Sequence, residues 1–166
     1  MILNFVEAAC QDISDRRLFG ICDNIPGRRA RIDEFDGRIW IAVVVNEVRY
    51  HVTFTAVDNC IEIRRPDGLM DKRCDGFLFY NTTIIFVELK ERGAIGNAWV
   101  IDGEEQLRTT ISYFEDTENA EDYTMKKAYI ANSEHPRFKE SQIRRMNQFY
   151  TDTGYVLRIE NRIILD

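Results

Sequence analysis

The pattern of apolar and polar positions is most regular between residues 73 and 92, which read RCDGFLFYNTTIIFVELKER. Two short apolar runs, Gly76–Tyr80 and Thr83–Leu89, are rich in Phe, Ile and Val and are separated by Asn81 and Thr82. Apolar runs of this length and composition predict paired β-strands, and a two-residue separation predicts a tight connection between them. We therefore predict a β-hairpin here.

A two-residue turn fixes the register of this hairpin and places Asp75 opposite Glu88. Side chains alternate along a strand, and directly opposed residues share a face of the sheet. One face should carry Asp75, Phe77, Phe79, Ile84, Phe86, Glu88 and Lys90. The other face should carry Leu78, Tyr80, Ile85, Val87 and Leu89. Because both faces are apolar, we expect the hairpin to be covered on both sides.

The segments before the hairpin predict one helix and three strands. Residues 2–13 place apolar side chains near helical spacing, with Glu7 at the edge of the apolar stripe, which indicates an amphipathic first helix. Apolar or alternating runs at Arg38–Val45, Val48–Thr55 and Cys60–Arg64 are separated by turn-forming residues. We predict that these three strands form an antiparallel meander that leads into the hairpin.

The segment after the hairpin predicts a crossover connection. Asp102 is a good N-cap and Glu105 completes an arrangement like a capping box, so we expect a helix from Asp102 to about Glu118. The next apolar run, Lys126–Asn132, predicts a strand. A strand, a helix and a strand in succession form a crossover, so Lys126–Asn132 should lie parallel to the strand that carries Glu88.

The last part of the chain predicts a second helix and two short strands. The helix should cover Arg137–Tyr150 and be stopped by Gly154, and the strands should cover Tyr155–Ile159 and Arg162–Leu165. A chain of 166 residues is long enough to bury one sizeable core. We therefore predict a single α/β domain over residues 1–166, with a central mixed β-sheet flanked by helices.

The hairpin places two carboxylates and one lysine on an otherwise apolar face. Asp75 and Glu88 would repel each other at short distance unless they share a proton or a cation. Mg²⁺ prefers oxygen ligands and often keeps several waters, so it suits such a pair. Lys90 points the same way and could hold or polarise a water. A purely structural interpretation is also open: Glu88 and Lys90 form an ordinary ion pair, and Asp75 caps a turn.

These residues resemble the PD-(D/E)XK, or restriction-endonuclease-like, nuclease superfamily. The resemblance consists of Asp75, twelve intervening residues, the sequence Glu88-Leu89-Lys90 and a following helix that carries Gln106. It covers about residues 70 to 135, with the pattern CDGFLFY, IIFVELK and EEQLRTTI, and is similar to small uncharacterised bacterial members of that superfamily. It implies a restriction-endonuclease-like mixed sheet flanked by helices.

The resemblance also implies the roles of the site residues. Asp75 and Glu88 would bind Mg²⁺ or Mn²⁺, Lys90 would assist the attacking water, and Gln106 would be an active-site neighbour on the helix. Some members add a metal ligand from a first-helix glutamate, which makes Glu7 a candidate, although an exposed helix glutamate is the other interpretation. The literal Pro-Asp pair lies in RPDG, a turn sequence, so we favour Asp75 and keep Asp67 as a second candidate.

The net charge of −6 limits how this chain could bind nucleic acid, because phosphate contacts require a basic surface. Binding would need a local patch acting against the acidic background. The candidates for this patch are Arg28, Arg29, Lys72, Arg73 and Arg108. The resemblance implies nucleic acid as the partner, although the net charge counts against it, and a homodimer or another protein partner is also possible.

The remaining composition predicts a cytoplasmic protein without a membrane segment. No apolar run approaches the roughly 20 residues that a membrane helix needs, and the N-terminus lacks the layout of a signal peptide. The four cysteines show no C-x-x-C spacing, so we expect reduced thiols and no zinc site. They are Cys10, Cys22, Cys60 and Cys74. The two histidines, His51 and His135, offer no catalytic pairing with Ser or Cys.

Two functions from different classes follow, and a third, an enzyme that acts on a phosphate ester outside nucleic acid, is open beside them. The first is a metal-dependent nuclease that hydrolyses phosphodiester bonds in nucleic acid, favoured by the intact set of Asp75, Glu88 and Lys90. The second is a catalytically silent protein of the same fold that binds a protein or nucleic acid. The acidic charge, the small size and the lack of a separate DNA-reading domain favour the second.

Overall fold

Ten β-strands and two α-helices form the described part of this computed structural model, which comprises residues 3–91, 96–134 and 142–166. The strands are β1 (Gln11–Ser14), β2 (Leu18–Cys22), β3 (Arg31–Asp33), β4 (Ala42–Val45), β5 (Val52–Ala56), β6 (Gly76–Tyr80), β7 (Thr83–Lys90), β8 (Met125–Asn132), β9 (Val156–Arg158) and β10 (Arg162–Ile164). The helices are α1 (Ala98–Glu115) and α2 (Ile143–Thr153). Short 3₁₀ segments occupy Ala8–Cys10, Gly37–Ile39 and Glu118–Asp122.

The strands form two mixed sheets. The first has six strands in the order β1-β5-β6-β7-β8-β9; it is antiparallel from β1 to β7 and parallel from β7 to β9. The second has four strands in the order β10-β4-β2-β3, and only the pairing of β10 with β4 is parallel. The protein is therefore an α/β fold with mixed sheets, as predicted at that level.

The hairpin of β6 and β7 has the predicted turn and register. Asn81 has a φ of 49°, a left-handed conformation that Asn tolerates better than most residues, and it begins the two-residue turn. Tyr80 pairs with Thr83, and the ladder continues to the pair of Gly76 and Val87. The next position along each strand brings Asp75 opposite Glu88.

Both faces of the hairpin are buried, but they are covered by different layers. Phe77, Ile84 and Phe86 belong to the core under α1 and α2. Leu78 and Ile85, with the other predicted residues of that face, belong to a second core under the four-stranded sheet. The expectation of helices on both sides is thus wrong for one face, because short apolar runs such as β2 and β4 form a sheet that covers it.

The crossover after the hairpin is confirmed. β8 lies parallel to β7 in register from Thr83 with Met125 to Lys90 with Asn132, and α1 connects the two strands. The helix begins at Ala98 rather than after Asp102. The extra turn is stabilised by burial of apolar side chains, including Trp99, in the helix-side core.

The N-terminal prediction is wrong, because the described part of residues 2–13 forms no α-helix. Ala8–Cys10 is a single 3₁₀ turn, and β1 follows it directly and pairs antiparallel with β5. Val6 and Ile13, which the helical stripe would bury, are more than half exposed. Pairing of this segment with a neighbouring strand therefore overrides its helical spacing.

The predicted meander is also wrong. β4 belongs to the four-stranded sheet and β5 to the six-stranded sheet, so these successive strands do not pair. The loop between β4 and β5 is held by the buried Asn46. Its side chain donates to the Tyr50 carbonyl and accepts from the Tyr50 amide, both at 2.9 Å. Cys60–Arg64 is not a strand and contributes only an isolated bridge from Arg64 to Met70.

The C-terminal elements agree with the prediction where they are described. α2 ends at Gly154, which has a φ of +79° as a left-handed helix cap requires. The predicted start of this helix at Arg137 lies outside the described residues. His135 also lies outside them. β9 and β10 fall within the predicted ranges but join different sheets. Neither described helix combines the length and apolar character needed to cross a membrane.

The prediction of four reduced cysteines is wrong. Cys10 and Cys60 form a disulfide with a Cα–Cα distance of 5.9 Å, while Cys22 and Cys74 are free and buried. The two bonded residues are 50 positions apart, and spacing alone does not reveal that β1 and the turn after β5 are neighbours. The prediction of a cytoplasmic location loses the support that reduced thiols gave it.

Removing this disulfide should destabilise the protein. We expect Cys10→Ser/Cys60→Ser to lower the free energy of unfolding by about 2–4 kcal/mol, because the bond restricts the unfolded chain. Urea unfolding followed by circular dichroism, with and without dithiothreitol, measures this. The reductant should destabilise the parent and leave the double variant unchanged. Four reactive thiols in the denatured, unreduced parent would contradict the disulfide.

Candidate functional site

Asp75 lies at the start of the hairpin, where its side chain continues the hydrogen bonding of the sheet. The residue comes directly before β6, and its Oδ2 accepts a hydrogen bond of 2.7 Å from the Leu89 amide on β7. Its own amide donates to Glu88 Oε1 at 3.2 Å. Its carbonyl accepts from the Val57 amide at 2.9 Å. These bonds fix the carboxyl group against the end of β7.

Glu88 and Lys90 lie on the helix-facing side of β7, as the alternation predicts. Lys90 Nζ is 3.0 Å from Glu88 Oε2 and donates to Gln106 Oε1, also at 3.0 Å. Gln106 is on α1, and its side-chain amide donates to the Arg73 carbonyl at 3.5 Å. The structure therefore brings Asp75, Glu88, Lys90 and Gln106 together, and we call these four residues the acid–lysine cluster.

The cluster is almost completely removed from solvent. Asp75 is 8% exposed, Glu88 3% and Lys90 8%. Buried ionisable groups are strongly destabilising unless they are paired and hydrogen bonded, and here each one has at least two polar contacts. The carboxyl groups of Asp75 and Glu88 also hydrogen bond with each other, which requires a shared proton.

The two acids are best described as a pair that holds one proton. Burial raises the pKa of Asp75 well above its usual range, and the charge of Glu88 and the hydrogen bond between the carboxyl groups raise it further. Burial also raises the pKa of Glu88, against the opposing effects of its hydrogen bond with Asp75 and of the Lys90 charge. A protonated Asp75 beside an ionised Glu88 and a cationic Lys90 leaves the cluster neutral.

Asp23 is a third carboxyl group that the sequence analysis missed. It follows β2 directly, is half-buried, and hydrogen bonds with the Asp75 carboxyl group. Burial raises the pKa of Asp23, while the hydrogen bond with Asp75 lowers it. An acid directly after the apolar run LFGIC was the available signal, but that run was not recognised as a strand.

Asp23 connects the buried cluster with the surface. Its side chain lines a cavity of about 350 Å³ together with Arg28, Asn59 and Glu91, among others. Glu91 is the residue after Lys90, so this cavity lies beside the end of β7. Three carboxyl groups thus lead from the protein interior to the surface in the order Glu88, Asp75, Asp23.

The arrangement of these acids is not a preformed metal cage. Within residues 3–91, 96–134 and 142–166, no group of three or more His, Cys, Asp or Glu side chains could hold a metal ion. Asp75 hydrogen bonds with an acid on either side, so the three carboxyl groups follow one another in a row. A cation here would take one or two carboxylates and complete its coordination with water or substrate.

The other two candidate residues lie elsewhere and make local contacts. Glu7 is exposed and caps the 3₁₀ turn, accepting from the Ala9 amide at 3.5 Å and from Asn4 Nδ2 at 3.3 Å. Asp67 is exposed in its turn and accepts from the Leu69 amide at 3.0 Å. The structure does not bring either residue into the acid–lysine cluster.

The basic patch expected from the sequence is largely neutralised. Four of its five residues form ion pairs with acidic side chains: Arg29 with Asp12, Lys72 with Glu105, Arg73 with Asp58, and Arg108 with both Glu104 and Asp152. The fifth, Arg28, lines the cavity that also contains Asp23. These residues therefore do not form one continuous cationic surface.

Protein-family models, curated proteins and solved structures include no match to this chain. Membership of the PD-(D/E)XK superfamily thus stays a prediction based on the residues quoted above. The interpretation of the acid–lysine cluster depends on its own geometry and electrostatics.

The buried proton should make stability depend on pH. Because its pKa is raised in the native state, Asp75 ionises at a higher pH there than in the unfolded chain. Between these two pH values the native state binds more protons than the unfolded state. The free energy of unfolding should therefore fall as pH rises, by up to about 1.4 kcal/mol per pH unit for one group. Asp75→Asn keeps an acceptor for the Leu89 amide and a donor towards Glu88, and should remove this contribution.

Urea unfolding at about pH 5 and about pH 8 measures the effect. The parent should lose more stability between the two values than Asp75→Asn does, and the variant should be at least as stable as the parent at the higher pH. Asp67→Asn is a matched control at an exposed aspartate and should behave like the parent. Equal losses in the parent and Asp75→Asn would contradict the shared proton.

Proposed function

We propose that this chain is a metal-dependent nuclease that hydrolyses phosphodiester bonds. The observation that carries the proposal is the meeting of Asp75, Glu88 and Lys90 at one end of the hairpin, in the register that the sequence predicts. The residue before β6, two residues of β7 and one residue of α1 converge there, since Gln106 contacts Lys90 at 3.0 Å. Strongly perturbed ionisable groups of this kind are more common at functional sites than elsewhere.

The stability of the fold alone gives little reason for such a cluster. Burying two acids and a lysine carries a desolvation penalty that their mutual attraction only partly offsets, and apolar residues of similar volume would fill this position at least as well. Asp75 and Glu88 lie among apolar neighbours, including Phe77 and Phe86 in the helix-side core. A function that needs carboxylates at this position explains why they are there.

The donor set suits Mg²⁺ or Mn²⁺ on one condition. Asp75 and Glu88 offer hard oxygen donors, and Mg²⁺ is commonly bound by one or two carboxylates with waters and substrate phosphates. The condition is loss of the proton that the two acids share. A bound divalent metal would activate a water as the nucleophile and stabilise the charge that develops on the phosphate.

Lys90 and Gln106 would act beside the carboxylates. Lys90 would place a positive charge next to the attacking water and orient it towards the phosphorus. Gln106 accepts a hydrogen bond from Lys90 and donates one to the Arg73 carbonyl, so it would hold the ammonium group in position. The restriction-endonuclease-like assignment belongs to the same proposal, and it is supported by the order of strands around β7 and by the crossover through α1.

A second candidate function is supported by a different observation. The cluster is internally satisfied, with Glu88 paired to Lys90 at 3.0 Å and all three ionisable groups at most 8% exposed. A catalytically silent protein of the same fold, which binds a protein or nucleic acid through another surface, could retain such a cluster as a structural element. Such a protein has no need to bind Mg²⁺ or Mn²⁺.

Substitutions within the cluster distinguish the two functions. Asp75→Ala and Glu88→Ala should abolish both Mn²⁺ binding and cleavage, because each removes a ligand. Lys90→Ala removes a cation beside the metal, so binding should persist or tighten while cleavage falls by about 10²–10⁴-fold, the usual contribution of acid–base assistance. Calorimetric Mn²⁺ titration and a cleavage assay on mixed single- and double-stranded substrates measure the two properties.

Asp67→Asn serves as the control, because it changes the literal Pro-Asp sequence in an exposed turn and should leave both properties intact. All variants must first give the circular dichroism spectrum of the folded parent. If Lys90→Ala cleaves as fast as the parent, Lys90 is only an ion-pair partner and the mechanism is wrong. If the parent neither binds Mn²⁺ nor cleaves, the silent function is supported instead.

A further inference from the structure

A polar cavity between α1 and α2 concentrates positive charge in an otherwise acidic protein. Its volume is about 450 Å³, and the side chains that line it are Glu104, Arg108, Gln142, Arg144, Arg145 and Gln148. Three guanidinium groups thus face one carboxylate and two amides, whereas the whole chain carries a net charge of −6. We call this site the α1–α2 cavity.

Glu104 holds two of the guanidinium groups in place. Its Oε2 accepts from Arg108 Nε and its Oε1 accepts from Arg145 Nη1, both at 3.0 Å. Arg108 also donates to Asp152 at 2.9 Å, and Arg145 donates from Nε to Gln142 at 3.0 Å. One carboxylate therefore fixes two arginine side chains of different helices next to each other.

The arginines keep donors for a further acceptor. A guanidinium group has five N–H donors, and the contacts within the described part of the chain engage two in each of Arg108 and Arg145. Arg144 is exposed beside them. The planar arrangement of guanidinium donors matches the oxygens of a phosphate group, which makes arginine the preferred residue for recognising it.

Arg144 and Arg145 lie in the first turn of α2, where a bound anion would be favourable. The N-terminal end of a helix carries a partial positive charge, so cationic side chains are destabilising there. Adjacent guanidinium groups also repel each other. An anion bound between the arginines would reverse both effects, and it would leave the contacts of Glu104 unchanged.

We propose that the α1–α2 cavity binds a phosphate group. Gln106, which contacts the acid–lysine cluster, lies between Glu104 and Arg108 in the sequence. Residues two apart in a helix point to nearly opposite sides, so the cavity and the cluster flank the same turns of α1, separated by about 10 Å, the width of one helix. Another phosphate of the same nucleic-acid chain, on the far side of α1 from the scissile one, could fill the cavity, an assignment that rests on the proposed function.

Phosphate binding can be tested on the metal-free protein. Inorganic phosphate is titrated at constant ionic strength against chloride, and ¹H–¹⁵N spectra are recorded for the amides and the arginine Nε groups. We expect saturable shifts at Arg108, Arg145 and the first turn of α2. Arg144→Gln and Arg145→Gln should each weaken binding by about tenfold or more, because each removes a charged donor. Arg38→Gln, an arginine paired with Asp36 elsewhere, should not.

The two arginine variants keep the test decisive. Arg145→Gln breaks a contact with Glu104, whereas Arg144 is exposed and its replacement should leave the fold intact. Failure to observe saturable shifts in the parent, or shifts unaltered in both variants, would overturn the proposal.

A second titration with a short single-stranded oligothymidylate identifies the source of the phosphate. Shifts at the same residues, which weaken steeply with salt, support both the cavity and a nucleic-acid ligand. Binding of inorganic phosphate without the oligonucleotide supports the cavity and assigns it to a small phosphorylated molecule, which counts against the nucleic-acid substrate. The two titrations can therefore contradict phosphate binding in the cavity and the proposed nuclease function independently.

Discussion

The hydrogen bond between the carboxyl groups of Asp75 and Glu88 is the constraint on which the rest of this site depends. Two acids at the end of β6 and β7 cannot both ionise in a buried environment without a cation, so they share a proton in the absence of one. The Leu89 amide and the Lys90 ammonium group then satisfy the remaining oxygens. The cluster is then neutral, and the proposed function requires that it exchange this proton for a divalent cation.

The surrounding structure holds this pair from both sides. α1 packs over it, with Thr110 accepting from the Cys74 amide at 2.8 Å and Gln106 contacting Lys90. On the other side, the amides of Val57 and Asp58 donate to the carbonyls of Asp75 and Cys74. The turn that supplies these amides continues to Cys60, which the disulfide joins to the segment before β1. The fold therefore fixes both the backbone and the side chains of the cluster.

The meeting of Asp75, Glu88, Lys90 and Gln106 could be predicted from the sequence because its determinants are local. The alternation of side chains and a two-residue turn specify the register of β6 and β7, and the register alone brings Asp75 to Glu88. A single crossover then adds α1 and with it Gln106. These inferences need only neighbouring segments, and the structure agrees with them.

The parts that could not be predicted depend on contacts between distant segments. The run Leu18–Cys22 becomes a strand because it pairs with β4, and only then does Asp23 reach Asp75. The disulfide likewise depends on β1 lying beside β5. Helical spacing in residues 2–13 was misleading because pairing of β1 with β5 is more favourable than an isolated helix. Strands of three to five residues, such as β1, β2 and β3, are also too short to show a clear alternation of apolar and polar positions.

The most direct test of the central claim is the number of protons released when Mn²⁺ binds. Calorimetric titration at about pH 7, in two buffers with different ionisation enthalpies, gives this number, since metal ligands must be deprotonated. If Asp75 and Glu88 exchange their shared proton for the cation, about one proton should be released per metal ion, and Asp75→Asn should lose the release together with tight binding. Binding without proton release, or equally tight binding in Asp75→Asn, would contradict this account.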